Sequence, residues 1–303
     1  LITGGAGFIG SNLADRLVSD VEVAILDNFS TGRREFVRPG VEVFEGDVLD
    51  TGVLREAMRG CDTVFHLQAN ADVRHGLKRP RVDLEQNTIA TSNVLEAMRE
   101  TGARTIAFAS TGSVYGEPDV FPTPEDAPFP VQTSLYAASK LAGEGLIGAY
   151  AHGFGIKGVV FRFVSILGER YTHGHVIDFY RALRADPARL RVLGDGRQRK
   201  SYLYVGDCVS AILTALRAHQ DGFAVYNLGT DESITVDESI GVITRYLGVS
   251  PVLEHTGGER GWAGDSPLIH LDTTKIRALG WAPSLTIREA VIKTLEWLDG
   301  RDL

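Results

Sequence analysis

A regular alternation of short apolar runs with amphipathic stretches constrains this chain more than any other feature. "VEVAILD" (21–27), "VEVF" (41–44), "DTVFHL" (62–67), "RTIAFA" (104–109) and "IKGVVFRF" (156–163) read as strands. Between them, "FIGSNLADRLVS", "DTGVLREAMRG", "LEQNTIATSNVLEAMRE" and "SLYAASKLAGEGLIGAYAHG" carry apolar residues at helical spacing. Parallel neighbours need a crossover of a dozen residues or so, which a helix supplies. The alternation therefore predicts an α/β chain with a doubly wound parallel sheet to about residue 165. Beyond it the alternation loosens, and "LGDGRQ" and "HTGGERGWAGDSP" interrupt it. Residues 166–303 are expected to form a smaller mixed α/β domain. The run "FAVYNLG" (223–229) is expected to return to the first domain, within a segment near 200–230.

Composition narrows the function classes. The net charge is −8, which argues against a duplex-binding surface, and "RQRK" at 197–200 is the one basic cluster that stands out. Two cysteines, Cys61 and Cys208, make neither a disulfide framework nor a metal finger, so a reducing, cytoplasmic setting is expected. No apolar run approaches the ~20 residues that span a bilayer, so no membrane partner is expected. No signal-peptide pattern is visible. Leu1 of "LITGG" falls in what reads as mid-strand, which predicts that the natural chain starts a few residues earlier.

The first functional signal is "TGGAGFIGS", with Gly4, Gly7 and Gly10 at G-x-x-G-x-x-G spacing ahead of an amphipathic helix. Such glycines let the backbone turn tightly and approach a pyrophosphate at a helix N-terminus, the arrangement of a Rossmann-type nucleotide site. A bare glycine turn explains the same spacing less often. "VEVAILD" supplies the second strand and ends at Asp27, whose carboxylate can accept both ribose hydroxyls of adenosine and would repel a 2′-phosphate. NAD is therefore expected over NADP. Arg33 and Arg34 lie downstream and weigh the other way unless they are solvated loop charges. Asp47, in "EGDVLD", is either an adenine contact or a helix N-cap.

"SLYAASK" puts Tyr136 and Lys140 four apart on a predicted helix, hence on one face. A nearby ammonium, together with a positive nicotinamide ring, would lower the Tyr136 pKa and make it a general base for a sugar hydroxyl. Asp, Glu and His do not cluster at metal spacing, so no metal is expected. His75 and His173 read as loop or substrate-contact residues before catalysts.

"GGAGFIGS", "LDNFSTG", "GDVLD", "STGSVYGE", "YAASK" and "RKSYLYVGD" follow one another over nearly the whole chain. In that order they resemble the extended short-chain dehydrogenase/reductases, in the nucleotide-sugar epimerase/dehydratase branch. The pattern is most similar to the UDP-galactose 4-epimerases of that branch. The resemblance implies a tightly held NAD, a UDP-hexose substrate and a homodimer joined through helices 86–100 and 134–152. It implies Thr111, Tyr136 and Lys140 as the catalytic triad. For the cofactor it implies Gly4, Gly7, Phe8, Ile9, Gly10, Asp27, Asn28, Asp47, Val48, Leu67, Gln68, Ala69, Asn87, Tyr136, Lys140 and Phe163. For the substrate it implies Val73, Ser113, Ser165, Arg191, Leu193, Lys200, Arg260 and Ile269. Lys200 and Arg260 are the pair expected on the diphosphate, and "RVL" (191–193) the segment bracketing uracil. Ile269 matches a residue that gates sugar size.

Three positions depart from the family pattern. "HLAA" reads "HLQA", with Gln68, and "RYxNxxGP" reads "RFVSILGE", with Phe163 and Ser165. The dehydratases carry an Asp–Glu pair directly after the triad Thr, where this chain has Gly112 and Ser113. Glu117, beyond them, is expected to point away from the sugar. The resemblance thus implies 4-epimerisation. A dehydratase, a decarboxylase or an epimerase of uronate or acetamido sugars is the alternative within enzymes, and an inert NAD-binding sensor the alternative outside them.

Overall fold

The computed structural model describes residues 1–71, 76, 78–129, 131–261 and 268–301. The main sheet is built from β1 (Ile2–Thr3), β2 (Ala24–Asp27), β3 (Glu42–Glu45), β4 (Thr63–His66), β5 (Thr105–Thr111) and β6 (Lys157–Phe163). The later strands are β7 (Ser165–Leu167), β8 (Arg189–Val192), β9 (Arg199–Lys200), β10 (Tyr202–Tyr204), β11 (Phe223–Leu228), β12 (Ile234–Thr235), β13 (Val252–His255) and β14 (Leu268–Ile269). β11 joins the main sheet beside β6, giving the order β11-β6-β5-β4-β1-β2-β3, with every pairing parallel. This is the Rossmann-type α/β fold the alternation predicts. The strand order reverses between β1 and β4, and a crevice opens there outside the carboxyl ends of the strands.

Helices cover both faces. α1 (Phe8–Leu17) and, later, α6 (Val205–Ala218) pack on one face. α2 (Thr51–Met58), α3 (Ala90–Thr101) and α4 (Leu135–Phe154) pack on the other. β5 shows why the strands read as apolar runs: Ala107 and Ala109 face the α1 side, while Ile106 and Phe108 face the α4 side. A strand covered on both faces needs apolar residues at every position. β3 differs because it is the sheet edge, and Glu42, Val43 and Glu45 are exposed.

"LEQNTIATSNVLEAMRE" does not form one α-helix. Leu84–Ile89 winds as a π-helical turn before α3 begins. Buried Asn87 sits inside that turn, and its carbonyl accepts from Thr91 Oγ1 at 2.6 Å. Such widened turns free a side chain for other partners, and Asn87 has several.

A third apolar cluster joins α5 (His175–Ala185), α7 (Val236–Leu247) and α8 (Ile287–Asp299) to β8 and β10. Thr235 with Glu238, and Thr286 with Glu289, form capping boxes at the starts of α7 and α8. Small sheets carry the segments after residue 166 back toward the crevice: β10 pairs β7, β13 pairs β8, and β9 lies between β12 and β14.

Candidate active site

The crevice is lined from the carboxyl ends of β1, β2, β4, β5 and β6. After β1 the chain turns through Gly4 at φ +70°, and a Cβ on Gly10 would stand 2.2 Å from the Gly4 carbonyl oxygen. Only glycine fits there, so the first turn of α1 folds back on the β1 loop. Gly7 precedes α1 with no side chain capping it, and the first turn holds no acid. Its open N–H groups, at Phe8, Ile9 and Gly10, make an anion site of the kind a pyrophosphate fills. The Phe8 ring also packs edge-on against Tyr171, with centroids 5.7 Å apart.

At the end of β2, Asp27 is 8% exposed; its Oδ2 accepts from Ala6 N and its Oδ1 from Phe29 N, each at 2.9 Å. A carboxylate has about four lone-pair sites, so it keeps capacity for ribose hydroxyls. A Cβ on Gly32 would stand 2.7 Å from Asp27 Oδ1, so backbone closes over the carboxylate. Both downstream arginines have acidic partners at the surface. Arg34 pairs with Glu45 and lies 4.2 Å from the Phe29 ring centroid; Arg33 pairs with Glu35 at 3.3 Å. Apoprotein is therefore expected to regain its cofactor from NAD and not from NADP. Equal recovery from the two, measured as bound dinucleotide, would contradict this.

Asp47 is not the helix cap. That role falls to Asp50, which accepts from Gly52 N and Val53 N at the start of α2. Asp47 Oδ1 accepts from Leu49 N, and its Oδ2 takes Asn28 Nδ2 at 2.9 Å and Gln86 Nε2 at 3.4 Å. Gln68 extends the same chain through its bond to Gln86. Val48 is buried beneath it, and Leu67 and Ala69 are half-buried. Asn87 spans two walls: its Oδ1 accepts from Asn70 N at 2.9 Å and its Nδ2 donates to Ser139 Oγ at 2.8 Å.

Thr111 ends β5, and its Oγ1 accepts from Ser113 N at 3.1 Å, capping the short turn that follows. Tyr136, on the first turn of α4, lies near enough for that hydroxyl to favour its phenolate. Lys140 follows one turn later on the same face; it is 1% exposed, and its Nζ donates to Ala109 O at 2.8 Å, 4.7 Å from the Phe108 ring centroid. Triad members from β5 and α4 are thus together. The expected lowering of the Tyr136 pKa is corrected for the chain's own groups. Burial pushes the phenol up to about 12, with Asp83 adding to the rise and the Thr111 hydrogen bond opposing it. Burial pushes Lys140 down to about 7, against the pull of Glu144.

On the substrate side, Lys200 on β9 lies opposite Ile269 of β14 in the ladder. Ile269 reaches the strand tip: a Cβ on Gly112 would stand 3.3 Å from its Cγ2. Arg260 pairs with Glu117, Nη2 to Oε1 at 2.6 Å, so Glu117 is held in an ion pair at the rim. Phe163 is 9% exposed and stacks on Phe161, while Ser165, Arg191, Leu193 and His173 are exposed. Val73 and His75 lie outside the described residues. Sequence reasoning missed Asn70, Asp83, Ser139, Glu144 and Arg162. Only Glu144 carried a signal, standing four residues after Lys140 just as Lys140 follows Tyr136. Among the described residues no group of three or more His, Cys, Asp and Glu side chains could hold a metal ion.

The chain is similar to known proteins over nearly its whole length. The chain is 32% identical over 304 residues to a putative UDP-glucose 4-epimerase of Methanocaldococcus jannaschii, covering 98% of this chain and 97% of that protein. A solved UDP-galactose 4-epimerase superposes with a TM-score of 0.90 at 40% identity, covering 99% of this chain and 98% of that one. The UDP-glucose 4-epimerase of Thermus thermophilus, solved with NAD, gives 0.89 at 34% identity, covering 99% of each. Similarity extends to UDP-glucuronic acid decarboxylase 1 of Xenopus tropicalis, 29% identical over 98% of this chain and 71% of that protein. It extends also to a dTDP-glucose 4,6-dehydratase of Streptomyces venezuelae, with a TM-score of 0.88 at 26% identity over 99% of this chain and 96% of that one. The model of the NAD-dependent epimerase/dehydratase family matches residues 1–229, and with the glycine turn, Asp27 and the Thr111–Tyr136–Lys140 grouping inside that span, the chain belongs to that family.

Proposed function

We propose that this enzyme interconverts the C4 epimers of a UDP-hexose, with glucose and galactose as the main pair. The strand tip after Thr111 carries the reading. Eliminating water across C5–C6 needs a general acid and a general base beside the sugar, and Gly112 and Ser113 offer neither. Gly112 has little room for one: a Cβ there would stand 3.2 Å from the Phe163 carbonyl oxygen and 3.3 Å from Ile269 and Leu271 side-chain carbons. Glu117 lies beyond the short turn that follows Thr111 and stands exposed at the rim beside Arg260.

What the chain supplies suits proton transfer at one hydroxyl. Tyr136 accepts the 4-hydroxyl proton. Thr111 donates to the phenolate as it forms, and the Lys140 ammonium offsets its charge. Bound NAD supplies the acceptor and donor for the C4 hydrogen. Lys200 and Arg260 hold the diphosphate, with Arg260 exchanging Glu117 for a phosphate oxygen, and Arg191 and Leu193 bracket the uracil. Residues 1–165 with the return strand hold the cofactor, and 166–303 hold the nucleotide sugar. The enzyme acts as a homodimer in the cytoplasm. No helix among the described residues is long and apolar enough to cross a membrane.

A panel of UDP-, dTDP- and CDP-hexoses, followed by NMR assignment of the product at C4, tests the reading. Inversion at C4 of a UDP-hexose supports it, and bound NAD without any turnover overturns it. Ile269, at the tip beside Gly112, is expected to tolerate 2-acetamido sugars in part. Ile269→Tyr should narrow the range to plain hexoses, and an unchanged substrate profile would remove Ile269 from the pocket.

A further inference from the structure

The Tyr136–Lys140 pair continues one helical turn further. Tyr136, Lys140 and Glu144 follow at four-residue steps along α4, on one face. Three consecutive residues of β5 meet them. Thr111 faces Tyr136, the Ala109 carbonyl accepts from Lys140 Nζ at 2.8 Å, and Ser110 Oγ donates to Glu144 Oε1.

Arg162 closes on Glu144 from β6, where it lies opposite Ser110 in the ladder. The guanidinium reaches the carboxylate with Nη2 to Oε2 at 2.7 Å and Nε to Oε1 at 3.1 Å. Both residues are buried, at 3% and 4% exposure. The far side of the guanidinium is held as well: Nη1 donates to Tyr115 Oη at 2.7 Å and to Glu125 O at 2.9 Å. Tyr115 in turn donates to Asn227 Oδ1 at 2.8 Å, on β11.

A buried ion pair is weak evidence for stability, because desolvation offsets much of its attraction. The position of this one gives it another use. The groups facing Lys140 are Tyr136 and Glu144 on its own helix, the Ala109 carbonyl and Phe108 ring from β5, and His66 from β4. Arg162, from β6, stands behind Glu144. His66 is fully buried between Thr3 and Thr91, and burial and Lys140 push it down to about 3, so it is neutral. Glu144 is the anion of this set, and it opposes the effect of burial on Lys140.

We propose that Glu144 is a positioning residue for the proton transfer, resting on the role given above to Tyr136 and Lys140. Its carboxylate, fixed in place by Arg162, holds the tip of β5 against the catalytic helix and keeps Lys140 in its ammonium form.

Glu144→Gln removes the charge and Glu144→Asp keeps it, so the two separate charge from packing. On the holoenzyme with its NAD, kcat and KM for a UDP-hexose are measured against pH. Glu144→Gln should move the alkaline limb of kcat to lower pH by ~1 unit or more, as expected for a lost opposite charge, with little change in KM. Glu144→Asp should keep the limb near its place in the unmodified enzyme. If Glu144→Gln does not fold, Glu144→Gln combined with Arg162→Met, which leaves no unpaired buried charge, is measured instead and should move the limb the same way. A limb that stays in place when the carboxylate is removed, or that moves as far in Glu144→Asp, overturns the proposal. Absence of turnover in the unmodified enzyme would instead overturn the functional reading beneath it.

Discussion

Tyr136→Phe is expected to abolish turnover and leave NAD bound. The substitution removes one oxygen and keeps the ring on the first turn of α4. Thr111 still caps its turn through Ser113 N, so the strand tip holds its shape. The cofactor walls do not depend on the phenol: the glycine turn, Asp27 and Asn87 make their own bonds. Loss of a general base typically costs ~10²–10⁴-fold in rate. Bound dinucleotide measured on the purified variant should match the unmodified protein. Near-normal turnover would remove Tyr136 from the chemistry.

Gly10→Ala should have the opposite signature, losing the cofactor before any chemistry is tested. The added Cβ would stand 2.2 Å from the Gly4 carbonyl oxygen and 2.9 Å from Gly5 Cα, both backbone atoms. Nothing there can turn aside as a flexible side chain would. The β1 loop must move away from the first turn of α1, and the open N–H groups leave their places. Overpacking of this kind costs roughly 1–3 kcal/mol of stability. The expected result is a lower melting temperature with little dinucleotide retained. A variant that keeps full NAD content would show that the loop has slack the distances do not allow.

Much of the scaffold was legible because its causes are local. β5 and β6 are covered on both faces, so their central positions are apolar and the run stands out. Gly4 and Gly10 read correctly because close backbone approach leaves a residue type no alternative. Asp27 was legible as the end of the second strand because strand length sets its distance from the glycines. The π-helical turn at Leu84–Ile89 was not legible, since the apolar spacing runs on without a break and only the partners of Asn87 explain the change. Arg162 read as part of an apolar strand, and its meaning depends on Glu144 from another element. Glu117 and Arg260 likewise meet only through the tertiary path, which no spacing records. The surroundings of Tyr136 were not legible for the same reason. Helical spacing placed Lys140 on the right face, but burial and the Ala109 carbonyl decide what that ammonium does.

The central claim is that the strand tip supports taking and returning a hydrogen at C4 and nothing more. Mass spectrometry of the nucleotide sugar after incubation with a UDP-hexose tests it most directly. Product of unchanged mass, differing from the substrate only in configuration at C4, is the result expected from a site with Thr111, Gly112 and Ser113 at its tip. A product lighter by one water, or by carbon dioxide when a uronate is supplied, would contradict the account, because the elimination or decarboxylation would then proceed without the carboxylates those positions lack.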